Sequence, residues 1–368
     1  MDCKPNNNKS GGQGANQTLW RAVLDNTDLY LWTKFLCMKH LTIVVPDGEG
    51  NNISSIVGSY KIFTRANDYW RTSGRSALFK IEVAGISKKV EYFDGLFSVK
   101  PHTHISKIAK TDLIIIPSLN HHYQKAIQEN VQLIDWISQQ YGRGAEVASI
   151  CTGAFLLAAS GLLNWVTCST NWAVADSFKS MFPAVNLQVD KLITDENGIY
   201  TNGGAYSFLN LIIYLIEKYY GREIAIYCSK VFQVEMDRQS QSPFIIFKGQ
   251  KSHGDALIGQ AQSYIESHWN EKIPVEPLSA RYSISRRNFD RRFLKATGNT
   301  HAEYLQRVKI EAAKKAFETT GKNVKEVMYE VGYADVKAFR DVFRKLTGLS
   351  PLEYKSRYNK DKVEGMNR

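Results

Sequence analysis

Two groups of residues carry side chains that could do chemistry. The first centres on Cys151, within Ser149-Ile150-Cys151-Thr152-Gly153, where an apolar run gives way to a helical pattern. A cysteine on a sharp strand-to-helix turn exposes its sulfur at the sheet edge and stands near a helix N-terminus. The dipole there favours the thiolate, the form that attacks an electrophilic carbon. Such a thiol also needs a base. The eight histidines are His40, His102, His104, His121, His122, His253, His268 and His301, so none lies between 123 and 252. His121 and His122 follow the apolar stretch 112–117 and, with Asn120, belong to a loop at the edge of the sheet that carries Cys151. They are either a base for the thiol or part of a pocket wall.

The second group lies near the C-terminus. Phe289 and Phe293 are four residues apart, as are Phe339 and Phe343, so each pair shares one face of a helix. The remaining faces carry Arg286, Arg287, Asp290, Arg291 and Lys295 in one helix, and Lys337, Arg340 and Arg344 in the other. A helix anchored by aromatics and faced with long cations can enter a DNA major groove, where the cations reach phosphates and guanine edges.

The elements that must position these groups follow from periodicity. From residue 41 short apolar runs alternate with longer helical periods, at 41–45, 53–66, 78–84, 112–117, 131–141 and 146–150. Strands apolar at nearly every residue are buried on both faces, which predicts an α/β sandwich with a mainly parallel, flavodoxin-like sheet. Helices are predicted at 152–160, 205–219 and 222–232, a linker at 237–252, and only helices beyond 254. Within the helical part an approximate repeat is legible. Residues 278–298 and 327–348 each read as a short helix, a tight turn and a second helix ending at Thr-Gly.

Composition narrows the function classes. With 368 residues, 43% apolar and 23% charged, the chain suits two or three globular domains. Its apolar runs fall short of the ~20 residues a membrane span needs, and the polar start lacks a secretion signal, so no membrane partner and a cytoplasmic location are expected. Five cysteines without a CxxC pair argue against a disulfide framework and a metal site; reduced, mostly buried thiols are expected, and no cofactor. Residues 271–368 hold 22 Lys and Arg against 13 Asp and Glu, a net +9 of the chain's +11. One end is built for polyanions.

The C-terminal residues resemble the DNA-binding domain of the AraC/XylS family of transcription regulators, over about 254–358. The likeness rests on Ala313, Val324, Val327, Val331-Gly332-Tyr333-Ala334-Asp335, Phe339, Phe343, Gly348, Ser350, Pro351 and Tyr354. It implies an all-α double helix-turn-helix whose reading helices match 285–296 and 335–346, joined by a long helix near 300–318. By position, Arg287, Asp290, Arg291, Lys337 and Arg340 would face bases. The segment 41–232 resembles the class I glutamine amidotransferase-like superfamily in its PfpI-like branch, on 112–117 and the Cys151 elbow. There the base would fall within 167–172, where Asn171 stands, and an early acidic residue would fall near Ser54-Ser55, with Asp47 and Glu49 close by. Asparagine cannot take a proton.

Together these resemblances imply a sequence-specific, AraC-type regulator. A non-catalytic α/β domain would bind a small-molecule effector beside Cys151, Thr152, Asn120, His121 and Asn171, or form a homodimer, or both. The partners implied are double-stranded promoter DNA and the effector, with RNA polymerase as an open further partner. Two alternatives stand beside it. One is a cysteine hydrolase or lyase using His121 or His122, with an accessory DNA-binding tail. The other is a purely structural dimerisation domain, its pocket packed shut by Trp165, Trp172 or Phe155. The expected division is an extension at 1–38, an α/β sensor at 39–236, the linker at 237–252, the DNA-binding domain at 253–358 and a tail at 359–368.

Overall fold

The computed structural model describes residues 38–359 except 49, 121 and 252. The expectations for residues 1–37 and 360–368, for Glu49 and for His121 lie outside the described residues.

The first half is an α/β sandwich. Its elements in chain order are β1 (Lys39–Val45), α1 (Ile53–Thr72), β2 (Phe79–Gly85), β3 (Val90–Tyr92), β4 (Phe97–Val99), β5 (Thr103–His104), β6 (Leu113–Ile116), α2 (Tyr123–Glu129), α3 (Val131–Gly142), β7 (Glu146–Ile150), α4 (Ala154–Ala159), β8 (Thr167–Cys168), α5 (Ala175–Met181), β9 (Asn186–Leu187), β10 (Ile193–Glu196), β11 (Ile199–Asn202), α6 (Phe208–Tyr220) and α7 (Arg222–Phe232). Seven strands form one sheet in the order β10-β11-β7-β6-β1-β2-β5. All neighbours are parallel except β10 and β11. The central strands are apolar throughout because both faces are covered. Leu113, Ile115, Ala148 and Ile150 pack beside α1, α6 and α7. Ile114, Ile116 and Val147 pack on the other face with α3, α4 and α5.

Strands β10 and β11 escaped the apolar pattern for a physical reason. Thr201 and Asn202 are fully buried polar residues: Thr201 Oγ1 accepts from Ser169 N at 2.6 Å and Asn202 Nδ2 donates to the Leu192 carbonyl at 3.2 Å, while Asn202 Oδ1 has no partner among the described residues.

The second half is helical: α8 (Ala256–Ser267), α9 (Val275–Arg281), α10 (Arg286–Thr297), α11 (His301–Thr319), α12 (Val324–Glu330), α13 (Val336–Thr347) and α14 (Pro351–Tyr358). It holds two small cores, one around Phe289, Phe293 and Tyr304 and one around Phe317, Phe339 and Phe343, with α11 contributing to both.

The segment 237–252, expected to be a linker, is packed. Backbone bonds join Gln239 to Leu192 and Gln241 to Asp190. The Gln241 Nε2 amide donates to Val189 O at 2.6 Å and Thr170 O at 2.9 Å. Toward the helical half, Lys314 Nζ donates to the Ile245 carbonyl at 2.6 Å and the Phe247 ring lies 5.1 Å from Tyr304, nearly edge-on. Its apolar residues Phe244, Ile245, Ile246 and Phe247 make this a strap.

Candidate nucleic-acid interface and elbow site

The two copies of the repeated unit share their caps, stops and closing bonds. Ser285 and Asp335 cap α10 and α13 by accepting from Asn288 N and Ala338 N. Both helices end on a left-handed glycine, Gly298 and Gly348. At their last residues, Thr297 Oγ1 donates to Phe293 O at 2.8 Å and Thr347 Oγ1 to Phe343 O at 2.8 Å. Capping boxes at Thr300/Glu303 and Ser350/Glu353 then start the following helices. Phe289, Phe293, Phe339 and Phe343 are wholly buried, which fixes the opposite faces outward.

On those faces Arg287, Arg291, Lys295, Lys337, Arg340 and Arg344 are exposed, and none forms an ion pair among the described residues. Arg291 Nη2 donates only to Asn288 Oδ1, at 3.0 Å. Arg286 differs: it pairs with Glu276 and lies 3.6 Å from Asp290. Three other cations are structural. Arg292 makes a two-pronged contact with Asp255, the cap of α8, at 2.9 and 2.6 Å, which holds the Asp255 carboxyl below its ordinary pKa. Lys309 and Lys314 are buried, on the Gly332 and Ile245 carbonyls respectively. Sequence charge alone does not separate these anchors from free cations.

The elbow keeps its shape. Cys151 has φ +52°, a left-handed conformation that costs a non-glycine residue about 1–2 kcal/mol. Gly153 follows because a Cβ there would lie 2.5 Å from the Pro117 carbonyl oxygen. Thr152 ties the turn to the loop after β6: its hydroxyl donates to Leu119 O, accepts from Leu119 N at 2.9 Å, and lies 2.9 Å from Ser118 Oγ.

The expected exposure of the sulfur is not found. Cys151 is 2% exposed and belongs to the core beside α1 and α6, so the turn carries the strain of an elbow without presenting the thiol. Beside the elbow, Leu119 N donates to Thr152 Oγ1 and Thr170 Oγ1 donates to the Cys151 carbonyl at 2.9 Å, next to the expected Asn120 and Asn171. Among the described residues no hydrogen bond reaches the Cys151 sulfur. His122 is exposed at φ +57°. Asn120 is engaged with Asn51 O at 3.3 Å, and Asn171 caps the turn Trp172–Val174 by accepting from Ala173 N at 2.9 Å. Ser55, near the early acidic position, is buried and accepts from Ser118 N at 3.2 Å. Phe155 is fully buried and stacks on Tyr123 at 3.9 Å, while Trp165 is 84% exposed. Burial and then the nearby Cys151 raise the Tyr123 hydroxyl pKa. Burial pushes Cys168 up to about 12 and Cys228 up to about 11, so neither is a ready nucleophile.

Sequence reasoning missed a cavity of about 550 Å³ between the α/β half and the strap, lined by Asn171, Trp172, Tyr206, Arg238, Gln241 and Phe244 among others. The apolar run after Pro243 was the available signal, since a free linker has no use for it.

The fold and the two sites define a protein that joins an elbow-bearing α/β sandwich to a duplicated helix-turn-helix. Comparison with known proteins names both parts. Residues 61–218 match the DJ-1/PfpI family and residues 278–357 match a helix-turn-helix domain, so the chain combines a DJ-1/PfpI domain with an AraC-type helix-turn-helix domain. Among curated relatives, the HTH-type transcriptional regulator GbdR of Pseudomonas aeruginosa is 23% identical over 221 residues, 60% of this chain and 60% of that protein. The HTH-type transcriptional activator RhaS of Enterobacter sp. strain 638 is 29% identical over 101 residues, 27% of this chain and 36% of that protein. The match to the first of these thus spans less than two thirds of the relative's length. Drosophila melanogaster DJ-1beta is a structural neighbour at 18% identity and TM-score 0.44, covering 54% of this chain and all of that one.

Proposed function

We propose that the protein is a DNA-binding transcription regulator of the AraC type. The observation that carries this is the duplicated unit, in which α10 and α13 are set on α11 with exposed cations that have no ion-pair partner among the described residues. At about 1.5 Å per residue, the 19-residue α11 is about 28 Å long. That is close to the ~34 Å between successive major grooves on one face of B-DNA. In this reading Arg287, Arg291, Lys337 and Arg340 meet base edges, while Lys295 and Arg344 meet phosphate. Arg286 and Asp290 act together, because groove entry must first reorganise their ion pair.

The α/β domain senses rather than catalyses. Cys151 is buried and Asn171 is committed to capping. Effector binding and homodimer formation are assigned to this domain. A cytoplasmic location accords with the described helices, none of which is long and apolar enough to cross a membrane.

The experiment is fluorescence anisotropy of the full chain on labelled duplexes selected from a random pool. The two cations assigned to phosphate, Lys295 and Arg344, predict a plot of log K against log salt with a slope of about −2 or steeper, because each neutralised phosphate releases counterion. A folded chain with no salt-dependent binding would end the proposal.

A further inference from the structure

The effector site need not be the elbow. The cavity at the strap has the size of a small-molecule site, about 550 Å³. Two of its lining residues hold buried polar atoms that lack a partner. Gln241 is 1% exposed, and its Oε1 is unpaired among the described residues. Its amide cannot be turned round to cure this, because Nε2 already donates to the Val189 and Thr170 carbonyls. Arg238 Nε is likewise buried and unpaired. The guanidinium lies 4.2 Å from the centre of the Phe244 ring. No carboxylate comes within ion-pair distance of it among the described residues; Glu235, also in the lining, stays farther away.

We propose that this cavity is the effector site, and that it takes a small organic carboxylate which also carries a hydroxyl or amino donor. The carboxylate completes the Arg238 guanidinium in a two-pronged contact, and the donor satisfies Gln241 Oε1. Trp172, Tyr206 and Phe244 line the wall against which the carbon skeleton lies. Of the residues expected in the elbow pocket, only Asn171 lies in this wall.

The site also explains how binding is felt by the DNA-binding half. Arg238, Gln241 and Phe244 belong to the strap, whose next residues Ser242 and Pro243 approach Gly348 at the end of α13. Phe244 also forms part of a second cavity, of about 730 Å³, against α11 and α14. Arg238 is close enough to Arg357 of α14 for the two positive charges to repel. Neutralising Arg238 therefore changes the field at the last helix of the DNA-binding half. The inference rests on the regulator reading, but it can fail separately.

The test uses the full chain and calorimetric titration with L-lactate, L-malate and L-serine at millimolar concentration, each beside its amide. At least one acid should bind and its amide should not. Arg238→Gln should weaken binding about 10- to 100-fold, the loss expected for a charge-assisted hydrogen bond, and Arg238→Lys should weaken it less. Cys151→Ser should leave binding unchanged. Binding by none of the three acids, equal binding by Arg238→Gln, or loss in Cys151→Ser alone would each overturn the proposal. DNA binding by the same samples, measured without acid, separates the two ideas: if it is intact while no acid binds, only the effector site is wrong, and if it is absent, the regulator reading is wrong.

Discussion

The two copies of the helix-turn-helix place different residues, Ser283 and Gly332, at one left-handed backbone position, and that difference gives a stability prediction of opposite character for the two. Ser283 and Gly332 both follow the first helix of a copy with left-handed φ, +54° and +72°. In each copy the same bonds close the turn: Ser283 N to Ala280 O at 2.9 Å and Gly332 N to Tyr329 O at 3.0 Å, then Ile284 N to Ser279 O at 3.3 Å and Tyr333 N to Met328 O at 3.0 Å. The surroundings are not the same. A Cβ at Gly332 would lie 2.5 Å from the Asn270 carbonyl oxygen and 2.8 Å from Lys309 Nζ. The lysine end can move, but the Asn270 backbone cannot move without disturbing the neighbouring Trp269, which packs on the second core. Gly332→Ala therefore meets the left-handed cost of about 1–2 kcal/mol and an overpacking cost of about 1–3 kcal/mol. A loss of about 2–5 kcal/mol is expected. Ser283→Gly relieves the left-handed strain while loosening the unfolded chain by about 0.5–1 kcal/mol, so it should stay within about 1 kcal/mol of wild type. Native-state hydrogen exchange reads these changes where they act, on the amides of α9 and α10 for Ser283→Gly and of α12 and α13 for Gly332→Ala. Protection in Gly332→Ala within about 0.5 kcal/mol of wild type would refute the packing argument, as would a larger loss in Ser283→Gly than in Gly332→Ala.

Further predictions concern the interface, the elbow and pH. Arg291→Ala and Arg340→Ala should each cost about 1–3 kcal/mol on a selected site and flatten base preference, whereas Arg344→Ala should weaken selected and random duplexes alike; equal losses on both kinds of DNA for all three would dismiss the assignment. Cys151→Ser should leave DNA affinity unchanged, and the wild type should hydrolyse no amide and consume no glyoxal; turnover that vanishes in the variant would restore the enzyme reading. His301 is buried between Phe289 and Phe293 with Nε2 unpaired, and burial lowers its pKa against the opposing pull of Asp290 and Glu276. The unfolded chain then binds the proton more readily, so this contribution to stability is full above about pH 6.5 and falls as pH drops toward the lowered folded value. Urea titrations at pH 7.5 and 5.5 should show that loss in wild type and a smaller one in His301→Asn; an unchanged pH dependence in the variant would clear His301 of the effect.

What was legible in the sequence was whatever repeats or buries apolar side chains. The strands at 113–116 and 146–150, with α7 at 222–232, could be read because both faces of the sheet and one face of the helix demand apolar residues. The two reading helices could be read because Phe pairs recur with Thr-Gly stops. Less legible were features whose polar groups are satisfied at a distance. Strands β10 and β11 hide behind Thr194, Thr201 and Asn202, which bond across the sheet edge. The strap looked like a linker because Gln241 is polar, yet its amide is locked onto carbonyls about fifty and seventy residues away in sequence. The burial of Cys151 was likewise invisible, since an elbow motif fixes the backbone and leaves open whether α1 and α6 close over it. The packing of Phe247 on Tyr304 also means that a DNA-binding fragment begun near Lys251 would lose part of its own core; one begun at Pro243 keeps it.

The central claim is that one chain places two reading helices in successive major grooves. Methylation-protection footprinting of the full chain on a selected duplex tests it most directly. Two protected stretches of major-groove guanines, centred about 10 bp apart on one face of the duplex, are predicted, with Arg291→Ala clearing one stretch and Arg340→Ala the other. A single protected stretch, or protection that ignores both substitutions, would contradict it.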